Sequence, residues 1–94
     1  MTTISALSSV TQPRMGPGFR LQWEPAQESH VLLYPEGMVK LSQSAGEIVK
    51  RCDGTRSVER IVAEIEAAFG ATGLDGDVRA FVDLAGKQRW LVWE

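Results

Sequence analysis

The sequence predicts an α+β domain, winged-helix-like, in which a small antiparallel sheet of three strands is followed by a three-helix bundle. Three observations carry this expectation. Residues 19–41 hold short period-2 stretches separated by turn residues, residues 43–90 hold stretches of period 3.6 with start and stop signals, and all strands precede all helices.

In the first strand Phe19, Leu21 and Trp23 alternate with Arg20, Gln22 and Glu24, the pattern of one buried face, and Pro25-Ala26-Gln27-Glu28 breaks it. The second, Ser29 to Tyr34, has Val31 and Leu33 on one face and Leu32 and Tyr34 on the other, so it is expected at the centre of the sheet. Pro35-Glu36-Gly37 is turn chemistry. The third strand, Met38 to Leu41, is short enough for an edge and opposes Val39 and Leu41 to Met38 and Lys40.

Helix one is expected from Gln43 or Ala45 to Cys52, on an apolar stripe of Ile48, Val49 and Cys52. Its start signal is Ser44 with Glu47 three residues on, and its stop is Gly54. Ser57 caps helix two, which carries Val58, Ile61, Val62, Ile65 and Phe69 on one side and stops at Gly70. Helix three follows Asp75-Gly76-Asp77, either aspartate serving as cap, and turns Val78, Phe81, Val82 and Ala85 inward. It ends near Gly86 or a turn later, and Leu91-Val92-Trp93 must then pack back or find a partner.

Ninety-four residues without an internal repeat suit one small domain, placed at residues 19–94, with a marginal core. Residues 1–18 are rich in Ser, Thr, Gly and Pro and lack hydrophobic period. They are expected to be a disordered tail outside the core, with Met15 an alternative start. The net charge of −2 argues against a dedicated nucleic-acid or anionic-membrane binder. One cysteine excludes an internal disulfide and suits a cytoplasmic protein, and no stretch has the apolar length of a membrane span.

For catalysis the chain offers one His, one Cys and no phosphate-cradling glycine loop or ligand cluster, so it is not expected to be an enzyme or to hold a cofactor or metal. His30 is expected at a surface or facing a partner, and Cys52 as a small buried hydrophobe. Three binding classes remain. A winged-helix DNA-binding regulator would use Arg79, Lys87 and Arg89, but Glu59, Glu64 and Glu66 on helix two oppose the phosphate backbone. A quinone-binding carrier would stack on Trp23, Trp90 and Trp93. Peptide capture follows from the edge itself: an open strand at Met38 to Leu41 presents unpaired N–H and C=O groups to which an extended peptide adds as a further strand. Helix three beside that edge would supply a groove floor around Arg79, Val82 and Gly86.

The set Arg20, Trp23-Glu24, LLYPEGMVKLSQSAGEIVKRCDGTRSV, Val78, Phe81 and Trp90 resembles the PqqD family of pyrroloquinoline quinone (PQQ) biosynthesis, over about residues 14–93. The resemblance implies a non-catalytic peptide chaperone with the leader-recognition fold of modified-peptide pathways. It would bind the ribosomal precursor peptide PqqA and present it to PqqE, the radical S-adenosylmethionine (SAM) enzyme that cross-links a Glu and a Tyr of that peptide. It also implies that the leader adds to the third strand against the third helix. Carried onto this chain, the binding edge is Met38, Val39, Lys40 and Leu41, to which the geometry of the helix adds Arg79, Val82 and Asp83. Iron–sulfur ligation falls to the enzyme, which the acidic side of helix two is expected to meet. The protein itself is expected to be a monomer or weak homodimer.

Overall fold

The computed structural model describes residues 7–94. In chain order the elements are β1 (Arg14–Met15), β2 (Arg20–Glu24), β3 (Ser29–Tyr34), β4 (Gly37–Lys40), α1 (Gln43–Lys50), α2 (Val58–Phe69), α3 (Asp75–Lys87) and β5 (Leu91–Val92). The period-2 stretches form one antiparallel sheet in the order β2-β3-β4. The strand that is apolar on both faces is central: β2 and β4 pair along both of its edges, and their side chains flank its own on either face. Leu21, Leu32 and Val39 stand in one row across this sheet. That row faces the helices: Leu32, Leu41, Ala45 and Val49 form a buried cluster against which Leu21, Val39 and Phe81 pack. A second, larger cluster lies between the helices, built from Ile48, Val58, Ile61, Ile65, Val78 and Val82 with their neighbours.

Helix ends follow their local chemistry with two changes. Ser57 Oγ accepts from the Arg60 N–H, and α2 closes at Gly70 with φ 61°, as the spacing predicts. At α1, however, the cap is Ser42, whose Oγ accepts from the Ala45 N–H at 3.1 Å. The Ser44 hydroxyl lies 3.3 Å from that of Ser42, and Glu47 turns to Arg51. At α3 neither aspartate caps. The N-cap position is Leu74, and Asp75 lies within the first turn, where it accepts from Arg79. The Leu74 N–H is taken by Glu66 of α2.

The expected boundary at residue 18 is the larger difference. Residues 1–6 lie outside the described residues, but from Leu7 onward the segment is fastened to the body. Thr11 and Pro13 are buried. The carbonyls of Thr11 and Ser9 accept from Val58 and Glu59, so this segment satisfies the first two orphan donors of α2. β1 pairs with β5 to make a second sheet of two strands, with Arg14 opposite Val92 and Met15 opposite Leu91. Gly16 permits this: its N–H donates to the Trp90 carbonyl at 2.8 Å, and a Cβ there would run into the Arg89 carbonyl. The chain end does pack back. Leu91 and Trp93 are buried, and the Trp93 ring rests on Gly86, where it would collide with any Cβ.

Candidate functional site

The free edge of β4 follows from one hydrogen bond. The Leu41 N–H donates to the His30 carbonyl at 3.0 Å. In an antiparallel ladder, residues with both groups turned to the neighbour alternate with residues turned away. With Leu32 opposite Val39 and Leu33 opposite Met38, it follows that Gly37, Val39 and Leu41 bond to β3. Met38 and Lys40 turn their N–H and C=O outward. No strand among the described residues pairs with that side. Met38 is half exposed and Lys40 is exposed, without an ion-pair partner among the described residues. Val39 and Leu41 point under the strand into the cluster around Leu32. The four strand residues singled out in the sequence thus divide into two that face outward along the backbone and two that anchor the strand.

The α3 residues are distributed differently from the expectation. Phe81 is the α3 side chain that packs on the cluster holding Leu41. At 100° per residue, Arg79 and Asp83 lie about 160° around the helix from Phe81. Arg79 donates to Asp75 and, at 2.8 Å, to Ser9 Oγ, so its flank is occupied by the N-terminal segment. Val82 is fully buried between the helices. Asp83 pairs with Lys87 at the surface. The flank of Arg79 and Gly86 is therefore covered by the two chain ends. The opposite flank, Phe81 with the half-exposed Leu84, is the apolar wall on the β4 side. Past Leu41 lies an apolar cavity of about 410 Å³ lined by Ser42, Ala45, Ile48, Phe69, Leu74 and Phe81 among others.

The remaining candidates have structural employment. His30 lies on the helix side of the sheet, where a Cβ on Gly46 of α1 would come within 2.7 Å of its Nδ1, and it meets Trp23 edge-on at 5.0 Å. It is thus a packing residue beneath α1, because an even-numbered position on β3 shares the face of Leu32. Burial pushes the Cys52 thiol up to about 12, and its Sγ donates to the Ile48 carbonyl, which makes it inert. Trp93 is buried and Trp90 packs against both apolar clusters, while Trp23 stands half exposed on β2, so the three tryptophans form no common stacking surface. Glu64 on the acidic side of α2 is enclosed by Arg51, Arg56 and Arg60, and the Arg60 hydrogen bond, helped by Arg56, holds its carboxyl below the usual range. No helix of the described residues is long and apolar enough to cross a membrane.

Residues 29–91 match the family described as coenzyme PQQ synthesis protein D (PqqD). The chain is 51% identical over 90 residues to a PqqA binding protein of Pseudomonas aeruginosa (strain UCBPP-PA14), covering 95% of this chain and 96% of the relative. It is 45% identical over 89 residues to that of Stutzerimonas stutzeri (strain A1501), covering 94% and 97%. Its fold matches the solution NMR structure of the PqqD truncation of Methylobacterium extorquens PqqCD, described as a functional, stand-alone recognition element for ribosomally synthesized and post-translationally modified peptides (RiPPs). There the TM-score is 0.69 at 29% identity, with 95% of each chain covered. On a match to the family over residues 29–91 and about half-identity to relatives of nearly equal length, this chain belongs to the PqqD family.

Proposed function

We propose that this protein is a non-catalytic peptide chaperone of PQQ biosynthesis that holds the precursor peptide PqqA as an added strand along β4 and presents it to the radical SAM enzyme PqqE in the cytoplasm. The observation that carries the reading is the outward backbone of Met38 and Lys40 beside the apolar wall of Phe81 and Leu84. An incoming extended segment finds donors and acceptors on one side and apolar surface on the other, the requirements of strand addition. Relatives named PqqA binding proteins, and a neighbour described as a RiPP recognition element, support the choice of ligand. The edge residues are Met38 and Lys40, held by Val39 and Leu41; α3 contributes Phe81 and Leu84, while Val82 supports the wall from the core. An apolar peptide side chain reaching beyond Leu41 would enter the cavity lined by Ala45 and Phe81.

The DNA-binding alternative is weakened where Arg79 and Lys87 pair with Asp75 and Asp83, which leaves Arg89 alone of its three cations without an ion pair among the described residues. Titration with PqqA, followed by backbone amide NMR, tests the proposal. Saturable shifts along β4 and the Phe81 flank of α3, at concentrations of tens of micromolar, are expected. An unchanged spectrum would overturn it, since a micromolar complex is about −8 kcal/mol and easily seen.

A further inference from the structure

A second cavity, of about 390 Å³, opens where the turn between β2 and β3 meets α1, and it is lined by Trp23, Glu28, Ser29, His30, Gln43 and Glu47. We infer that it is a docking site for an arginine side chain of a partner protein, seated between the Trp23 ring and the carboxylates of Glu28 and Glu47. The site is separate from the peptide edge. On α1, Ser44, Ala45 and Ile48 line the apolar cavity beyond Leu41, while Gln43 and Glu47, about a third of a turn around the helix, line this one. A carrier that presents a peptide needs a second surface that stays free while β4 is occupied. The choice of a protein over a free solute as the source of the arginine rests on that presentation reading; the cation chemistry does not.

The lining holds acceptors in excess of donors. Glu28 is exposed and has no ion pair among the described residues. It stands at φ 48° with its N–H on the Pro25 carbonyl, so the turn fixes where its side chain leaves the backbone. Glu47 is partly buried, and the Arg51 hydrogen bond above all holds its carboxyl below the usual range, so it is charged near neutral pH. Gln43 adds an amide oxygen, and Ser29 keeps a buried hydroxyl oxygen with no hydrogen-bond partner among the described residues. Among those residues no Lys or Arg lines the cavity. The aromatic wall selects for a flat cation. Trp23 is 51% exposed and meets the His30 ring edge-on at 5.0 Å. An indole face attracts a cation, and a guanidinium is planar, with five N–H donors and no acceptor, so it stacks on a ring while donating in its own plane to carboxylates. A lysine ammonium is more strongly hydrated and cannot stack. A metal ion fits less well, because no group of three His, Cys, Asp or Glu side chains stands together among the described residues.

Amide and indole NMR of the full chain, titrated with N-acetyl-arginine amide to about 100 mM at constant ionic strength, tests the site. Saturable shifts are expected at Trp23, Glu28, Gln43 and Glu47. N-acetyl-lysine amide should bind more weakly, and the neutral analogue N-acetyl-citrulline amide about threefold more weakly or worse. Trp23→Leu and Glu28→Gln, both at exposed positions, should each weaken arginine binding about threefold and leave PqqA affinity unchanged. Absent shifts, equal binding of the citrulline analogue, or undiminished binding in both variants would overturn the inference. Free arginine that binds about tenfold better than its blocked form would overturn a protein source, because it would mark a site for the amino acid itself. Variants that lose PqqA along with arginine would assign the cavity to the peptide site and overturn its separate role.

Discussion

Val39→Pro and Lys40→Pro place the same ring on adjacent residues of β4 and should have opposite consequences. The Val39 N–H serves the ladder to β3, whereas that of Lys40 faces outward. Val39→Pro deletes one internal hydrogen bond, about 1 kcal/mol, and leaves the Leu32 carbonyl without its donor, which costs about 1–3 kcal/mol in all when the acceptor is buried. Loss of the Val39 side chain from the cluster around Leu32 adds about 1 kcal/mol. A loss near 3 kcal/mol is a large part of the stability of a domain this size and should lower the urea midpoint by about 2 M. Lys40→Pro removes no internal bond and should cost under about 1 kcal/mol, as prolines on the solvent side of edge strands do. It removes a donor that the bound peptide would use and puts a ring where the peptide carbonyl must approach, so affinity should fall about tenfold or more. Paired urea unfolding and calorimetric titration with PqqA read both effects. Wild-type affinity in Lys40→Pro, or a wild-type urea midpoint in Val39→Pro, would refute the assignment of the ladder.

Other consequences test the frame that holds this edge. Gly46→Ala pushes a methyl against the His30 ring and should destabilise by about 2 kcal/mol; His30→Ala should recover part of that loss, which a double-mutant cycle in urea detects as non-additivity. Arg89 closes α3 at φ 62°, with the Trp90 N–H on the Ala85 carbonyl and its own N–H on that of Gly86. Arg89→Gly should therefore raise stability by about 1 kcal/mol, seen as a Tm several degrees higher. Glu47, Asp53 and Glu64 are held below the usual carboxylate range, by the Arg51 hydrogen bond, the Thr55 hydroxyl and the Arg60 guanidinium respectively. Groups depressed in the fold stabilise above their unfolded pKa, and that stabilisation is lost as pH falls through the folded value. The urea midpoint should thus hold from pH 7 to about 5 and decline below about 4.5, less steeply in Glu64→Gln.

What the sequence disclosed is what local chemistry determines. The hairpin of β3 and β4 is written in Leu32-Leu33-Tyr34, the Pro-Glu-Gly turn and the short run after it, and α2 in Ser57, its apolar stripe and Gly70. The open edge was legible for the same reason. Three features were not. β1 and β5 are two residues each, joined across most of the chain by backbone bonds and a glycine contact, so no periodicity marks them. The cap of α1 was a choice between two serines two residues apart, settled because Leu41 still bonds to His30 and the helix begins directly after it. The groove flank of α3 was ambiguous because an apolar stripe has two borders. The stripe of Val78, Phe81, Val82 and Ala85 is bordered by Arg79 and Gly86 on one side and Leu84 on the other. Only the path of the chain ends, which cover the first border with Ser9 and Trp93, assigns the second to the sheet.

Amide hydrogen exchange at β4, measured with and without PqqA, tests the central claim most directly. In the free protein Val39 and Leu41 should be protected by the ladder, while Met38 and Lys40 exchange freely; saturating peptide should protect Met38 and Lys40 strongly and change the other two little. Binding that leaves the Met38 and Lys40 amides in fast exchange would contradict strand addition along this edge.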